Sequence, residues 1–540
     1  MLEPEGHEVM KTDLPGALSL EKPPHRRTLP PGRAVSSGMV AGGVALAASE
    51  VLAAVVPWTP SLVASVGQEV IDRVSPAIED AAIAVFGTAD KTALVIGVLG
   101  VSLALAGALG ALAARRFWAA AVGFVAFGAV GVVAAMGTPG ASWAGSSLTG
   151  AVAVAAGVAV LRRLVVASSR PGAPAAAPSG SSRLGRRRFV RLVATAAGVV
   201  VVAGTAGRGL VRRLASGSGP ADVVLGAPTA SLPLPGAATA LDVEGLSPLF
   251  TPNRDFYRID TALVVPRVEL DDWRLRVTGM VDEPLELTFA DLLELDQVEA
   301  DITLSCVSNE VGGDLVGNAR WQGVELSTLL DRAGVRAGAT QTVGRSIDGW
   351  TGGFPTEAAY DGRGALVAVG MNGEPLPLDH GFPARLVVAG LYGSVSATKW
   401  LSEIELTTFE AFDGYWVPRG WSKSGPVKTQ ARIDVPRFGA RVRAGDQPIA
   451  GVAWAPSRGI SRVELAVDDG PWEQAVLADA LGVDAWRQWS YRWDATPGRH
   501  ELRVRATDGD GRTQTADRSL PRPDGATGYH AVAVTVLDPV

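Results

Sequence analysis

The chain carries one cysteine, Cys306, in 540 residues. A single thiol excludes an intrachain disulfide, a cysteine-built zinc site and a cysteine-ligated iron–sulfur cluster made by this chain alone. Histidine is almost as scarce. The five are His7, His25, His380, His500 and His530, and none lies in a long apolar run. That excludes a membrane haem held between two histidines of this chain. Charged residues make up only 19% and the net charge is -6, so no polybasic footprint for nucleic acid is present. The G-x-x-x-x-G-K-S/T phosphate loop is also missing.

The chain is rich in apolar runs, and they are confined to its first part. Before about residue 215 the sequence is Ala, Val and Gly with little charge; after it, Asp, Glu, Arg and Trp are frequent. Residues 1–37 read as a polar, Pro-rich cytoplasmic tail. Residues 38–210 read as about five membrane-crossing helices: Gly38–Val56, Ala93–Ala113, Trp118–Met136, Trp143–Leu161 and Phe189–Gly207. Each approaches the ~20 residues a bilayer requires. Arg115, Arg116, Arg162, Arg163 and Arg186–Arg188 fall on one side of that arrangement. The 57–91 connection, an expected amphipathic helix with Glu69, Asp72, Glu79, Asp80 and Asp90, falls on the other. The positive-inside rule then puts everything after about residue 210 outside, on a multi-pass anchor in the lipid of the cell membrane. Gly185-Arg-Arg-Arg-Phe-Val-Arg191 resembles a twin-arginine export signal, whose route carries folded proteins.

Residues 211–240 read as a Gly/Ser/Ala/Pro linker. Beyond it, Thr261–Val268 and Trp273–Gly279 alternate like strands, and Leu287–Leu295 reads as a helix capped by Thr288. Ile302–Leu304 reads as a strand ended by Cys306, followed by a loop, Ser308–Asn318, and a second strand, Trp321–Leu326. Ser327–Ala333 reads as a helix capped by Ser327, and Asp348–Pro355 as a turn-rich loop. Ala365–Gly370 reads as a buried strand and Met371–Pro375 as a hairpin turn. A thiol at a strand end beside a polar loop faces a cavity more readily than a packed core. Arg385, inside the apolar strand His380–Val388, requires an anionic partner. The loop Tyr392–Trp400 offers backbone amides, the hydroxyls of Ser394, Ser396 and Thr398, and the charge of Lys399, a set suited to phosphate.

Taken together, Thr-Leu-Ser-Cys306, Met371-Asn-Gly-Glu-Pro-Leu-Pro377, His380-Gly-Phe-Pro-Ala-Arg385-Leu-Val-Val and Lys399-Trp-Leu resemble the sulfite oxidase superfamily of molybdenum-cofactor enzymes, over roughly residues 245–540. The resemblance implies a mixed α/β molybdopterin domain, residues 241–426. It implies that Cys306 is the protein ligand to molybdenum. It further implies that Asn253, Tyr257, Arg258, His380, Arg385, Ser396 and Lys399 contact the pterin and its phosphate. A soft thiolate suits a redox metal on its own chemistry. The chain departs from the sulfite-oxidising pattern where Glu310 and Val311 replace arginines, where Trp350 stands for a tyrosine and where Arg258-Ile-Asp260 replaces Arg-Asn-His. Glu310 and Trp350 would repel sulfite. Oxygen-atom transfer is therefore expected with an S-oxide or N-oxide, or in the sulfite-type direction, with a separate electron-transfer partner.

Residues 427–540 are expected to be all-β, an immunoglobulin-like sandwich with strands at Ile449–Trp454, Val463–Asp468, Gln488–Trp493, Glu501–Ala506 and Ala531–Leu537. The resemblance makes this a homodimerisation domain. A reading of another class has the same fold without cofactor, as a membrane-tethered binding or scaffold protein.

Overall fold

The computed structural model describes residues 31–56, 59–75, 78, 81–82, 85–86, 89–137, 141–169, 219–266 and 268–538. The twin-arginine-like segment and the fifth apolar run lie outside them. The described residues fall into two compact units, one of 31–51, 97–130 and 150–169, the other of 52–96, 131–149 and 219–538.

Among the described residues, four helices are long and apolar enough to cross a membrane: α1 Pro31–Val55, α3 Asp90–Ala113, α4 Phe117–Met136 and α5 Trp143–Ser169. The shorter α2, Leu62–Arg73, lies between α1 and α3. Helix α1 begins seven residues before the expected Gly38, so 31–37 are not part of a tail. In the first unit, small residues do the packing. Gly38 meets Gly110, and Ala41, Ala106, Ala113, Ala120, Phe124 and Leu161 form one buried cluster. Between apolar helices, close backbone approach replaces the bulky interdigitation of a soluble core.

In the second unit, two sheets carry the cofactor-type domain. The strands of the first are β1 Leu275–Gly279, β2 Leu285–Leu287, β5 Gln341–Ser346, β6 Thr351–Pro355 and β10 Leu401–Thr407, in the order β2-β1-β10-β5-β6. Only the β1–β10 pair is parallel. The other sheet runs β3 Val298–Ser305, β4 Val316–Glu325, β7 Ala365–Met371 and β8 Glu374–Pro375, with β9 Arg385–Val388 also paired to β7. Helices α6 Phe289–Glu294 and α7 Leu326–Ala333 bury Leu292, Leu326, Leu329 and Leu330 in the core that includes Leu275, Val277, Leu386 and Ile404. This is the mixed α/β arrangement expected.

Local differences from the sequence reading have physical causes. Residues 261–266 make no ladder; the carbonyl of Ala262 accepts from a lysine instead, as described below, and Pro266 has no amide to donate. The 351–355 stretch is a strand, not a loop. Gly352 and Gly353 face Gly344 and Val343 across β5. A Cβ on Gly352 would sit 2.6 Å from the Trp350 ring and 2.8 Å from the Val395 carbonyl. Here glycine marks close approach rather than a turn. Thr288 caps α6, accepting from Asp291 N. The α7 cap position is Glu325, without a side-chain bond, and Ser327 is already helical. The expected linker is partly packed: Gln322 Nε2 donates to Gly226 O at 2.9 Å, and Ala230 bridges to Val298.

Residues 430–537 form two sheets. Gln430–Val435, Gly445–Trp454, Arg487–Ala495 and Val476–Leu477 make one; Arg441–Arg443, His530–Leu537, Gly498–Asp508, Ile460–Val467 and Glu473–Gln474 make the other. Residues of both, including Ile449, Trp489, Leu465, Leu502 and Val534, share one core. The five strands expected here all occur.

Candidate active site

Strand β3 delivers Cys306 to the end of its ladder. The last pair is Ser305 with Val316, and the ten residues between them close the loop. Cys306 N donates to Leu315 O at 2.9 Å, and Asn309 Oδ1 accepts from Leu315 N at 2.9 Å, so the loop is tied across its base. The residue is 7% exposed, and its Sγ lies 2.9 Å from Ser308 Oγ. Burial pushes the thiol up, with the Ser308 hydroxyl acting against it.

Another group of residues is cationic. Arg385 opens β9 and is 5% exposed. Its Nη1 donates to His380 O at 3.1 Å and its guanidinium lies 5.0 Å from the centre of the Trp321 ring. Among the described residues Nε has no partner, and neither has the hydroxyl of the buried Thr398. Burial lowers Arg385 to about 10. Tyr257 feels both Cys306 and Arg385. Burial first, then Cys306, pushes its hydroxyl above the usual range, while Arg385 acts in the other sense.

Asp260 organises a second group of charges. Its side chain is 2% exposed and holds Lys399 Nζ, Arg258 Nε and Lys91 Nζ at 2.8, 2.8 and 2.6 Å. Burial pushes its carboxyl up, but Lys399 and Lys91 outweigh that and hold it well below the carboxylate range. Arg258 also reaches Asp379 at 3.2 Å. Burial brings Lys399 down to about 8, with Asp260 opposing. Three cations meet two carboxylates here, so positive charge is in excess even before Arg385 is added.

The remaining expected residues take supporting positions. Asn253 donates to Met371 O at 3.1 Å and accepts from Asn372 Nδ2 at 2.8 Å, fastening the 251–258 segment to the 371–374 hairpin. Ser396 donates to Tyr392 O at 3.1 Å inside its own turn. His380 sits 2.7 Å from Asn253 O and edge-on to Phe256. Glu310 is exposed, and Trp350 is half-buried against the Val395 turn.

Other residues here carry no motif of their own. The β-sandwich grips the cysteine loop: Arg432 Nη1 donates to Gly313 O at 2.8 Å, and the His530 ring lies against Gly312, whose φ is +79°. Trp486 N donates to Thr303 Oγ1 at 2.7 Å and Thr303 N to Asp484 O at 3.0 Å.

His380 and His530 are both held down to about 4, burial being the main cause. The unfolded chain takes up protons there that the folded chain refuses. The stability they supply is complete above pH ~6.5 and is lost as pH falls toward ~4, about 2 kcal/mol for each after allowing for residual solvent. Urea midpoints at pH 7 and 4.5 are expected to separate accordingly, and His380→Gln to flatten part of the slope.

A buried thiol, a buried guanidinium whose Nε has no partner among the described residues and a lysine in a net-positive cluster are groups of the kind that suit a soft metal and an anionic cofactor. The comparisons give that class a family. The family model described as "Oxidoreductase molybdopterin binding domain" matches residues 262–416, which hold Cys306, His380, Arg385, Ser396 and Lys399 but not Asn253, Tyr257 or Arg258. Mitochondrial sulfite oxidase of Macaca fascicularis is 30% identical over 301 residues, 47% of this chain and 55% of that protein. The uncharacterized oxidoreductase YuiH of Bacillus subtilis is 34% identical over 157 residues, 29% of this chain and 76% of that protein. The sulfane dehydrogenase SoxCD from Paracoccus pantotrophus superposes with a TM-score of 0.48 at 24% identity, over 55% of this chain and 83% of that one. The chain spans about half the length of the mitochondrial sulfite oxidases it matches. It belongs to the sulfite oxidase superfamily, with residues 262–416 matching a molybdopterin-binding domain.

Proposed function

We propose that this chain is a membrane-anchored, outward-facing molybdenum–molybdopterin enzyme that transfers an oxygen atom from a small, neutral S-oxide or N-oxide. The observation that carries the cofactor reading is Arg385: a buried guanidinium whose Nε lacks a partner among the described residues. Such a group is costly unless an acceptor arrives. A pterin phosphate supplies one, so the residues present fit the cofactor.

Cys306 would hold the metal through its thiolate, with the Ser308 hydroxyl donating to Sγ. Arg385, Lys399, Thr398 and Ser396 would hold the phosphate side, and Tyr257 and Arg258 the pterin. Asn253 and His380 would keep the 251–258 segment in place; His380 does so as a neutral ring. Molybdenum bound there would supply a two-electron couple for oxygen-atom transfer. The chain's part is to bind, orient and tune. Glu310 and Val311 add no cation near the thiol, and the Trp350 ring is apolar, so the approach favours a neutral oxide over sulfite.

Placement outside rests on charge and on the division of the chain. Arg115 and Arg116 follow α3, and Arg162 and Arg163 sit late in α5. The described residues of the connections without such clusters, among them 59–75 and 141–142, belong to the compact unit that holds the site residues. The basic side being inside, that unit is outside. One further crossing between 170 and 218 is then required, where the apolar run Phe189–Gly207 and its twin-arginine-like flank lie. Electrons pass to or from a separate partner, and the β-sandwich acts as an immunoglobulin-like homodimerisation module.

Metal analysis of the full chain in detergent, with a screen of sulfite, S-oxides and N-oxides against dye donors and acceptors, tests this. Stoichiometric molybdenum and turnover of a neutral oxide are expected. A protein free of molybdenum would end the enzyme reading; turnover of sulfite alone would end the substrate assignment.

A further inference from the structure

Lys91 stands in the first turn of α3, an apolar helix long enough to cross a membrane. Its Nζ makes three hydrogen bonds to one short segment 169–171 positions away: Asp260 Oδ1 at 2.6 Å, Asp260 O at 2.7 Å and Ala262 O at 2.8 Å. Asp260 also holds Lys399, a cation proposed above to contact the phosphate, at 2.8 Å. Neither Lys91 nor Asp260 lies in the family-matched residues 262–416.

One carboxylate therefore serves three cations. Whatever share of its charge Lys91 takes is withdrawn from Lys399, which is then more available to another anion. Without Lys91, Asp260 would neutralise Lys399 more fully, and the excess positive charge in the pocket would fall. The backbone bonds to Asp260 and Ala262 fix the segment as well as the charge.

We propose that Lys91 is a positioning residue for the cofactor site: by sharing Asp260 it keeps Lys399 free for an anion, so that the anchor's own helix start completes the binding pocket. The proposal rests on the reading of Lys399 as an anion-binding residue. It makes the membrane helix part of the cofactor site rather than a tether alone.

The test uses the full chain in detergent and two readouts, neither of which is turnover. The first is pterin retained after salt washing, read by fluorescence of the acid-released pterin. The second is the rate of reductive methylation of Lys399 by formaldehyde and borane at pH 8, read by mass spectrometry on apo-protein. Lys91→Met is expected to retain about tenfold less pterin, the loss of roughly one charge-assisted hydrogen bond, and to methylate Lys399 several-fold more slowly, because the amine is more tightly paired. Lys91→Arg keeps the charge and should restore much of both. The double variant Lys91→Met/Asp260→Asn should regain pterin relative to Lys91→Met, since Lys399 loses its competitor. An unchanged methylation rate in Lys91→Met, or a double variant no better than the single, overturns the proposal. A wild-type chain without pterin would instead overturn the cofactor reading, and methylation alone would then decide the link between Lys91 and Lys399.

Discussion

Cys306→Ser is expected to yield a folded chain that keeps its pterin and loses its molybdenum and turnover. The fold has little to lose. Both backbone bonds of residue 306, to Leu315 O and from Asn309 N, are independent of the side chain, and a serine hydroxyl can still reach Ser308. The chemistry has much to lose. A hydroxyl is a harder and far less acidic ligand than a thiol. Loss of an outer-shell partner alone typically lowers metal affinity or activity by roughly 10–100-fold, and loss of a direct ligand should exceed that. On the proposed reading pterin would be held by Arg385 and Lys399, away from the thiol in sequence, and should survive. Molybdenum and pterin measured on the same samples, with melting temperatures, separate the two effects. Equal molybdenum in wild type and variant would remove Cys306 from the metal.

Arg385→Met should show the reverse pattern: pterin falls to background while the apo-protein is as stable as wild type or more so. Arg385 is 5% exposed, its guanidinium lies over the ring of Trp321, and its Nε is unpartnered among the described residues. Its compensation is one bond to His380 O and the face of Trp321. Replacing a buried, poorly compensated ion by an apolar group of similar length is often neutral or stabilising by about 1–4 kcal/mol. The lost cation–π contact returns about 1 kcal/mol of that. The guanidinium is therefore retained for what it binds. Thermal melts of apo-protein beside pterin assays of the purified chain check both halves. A large loss of apo stability together with normal pterin would mean that Arg385 is a structural ion.

Much of this site can be read along the chain because its signals are local. Cys306 ends an alternating strand before a polar loop, and β7 is a short, wholly apolar run that reads as a buried strand. Arg385 stands out because an arginine in an apolar strand demands an anion. What could not be read depends on contacts distant in sequence or on glycine's two meanings. The strand-like alternation of Thr261–Val268 is genuine, yet its backbone is claimed by Lys91, which no local pattern announces. Gly352 and Gly353 look like a turn; they are a strand squeezed between Trp350, Val395 and Gln341. Ser396 and Asn253 are chemically apt ligands whose side chains are engaged with the backbone, the first inside its own turn and the second on the 371–374 hairpin. The grip of Arg432 and His530 on the cysteine loop has no counterpart in any motif.

That grip has a consequence in time. Ribosomes deliver residues 262–416 before they deliver Arg432, Asp484, Trp486 and His530. Until those later residues have folded back, Gly313 lacks its clamp and Thr303 lacks its partners, 181 and 183 positions downstream. The Cys306 loop is thus finished late in the life of the nascent chain. Loading of the proposed cofactor is expected to follow translation of the sandwich, and a chain ended at residue 420 would hold every motif of the family without the clamp on Gly313 and Thr303.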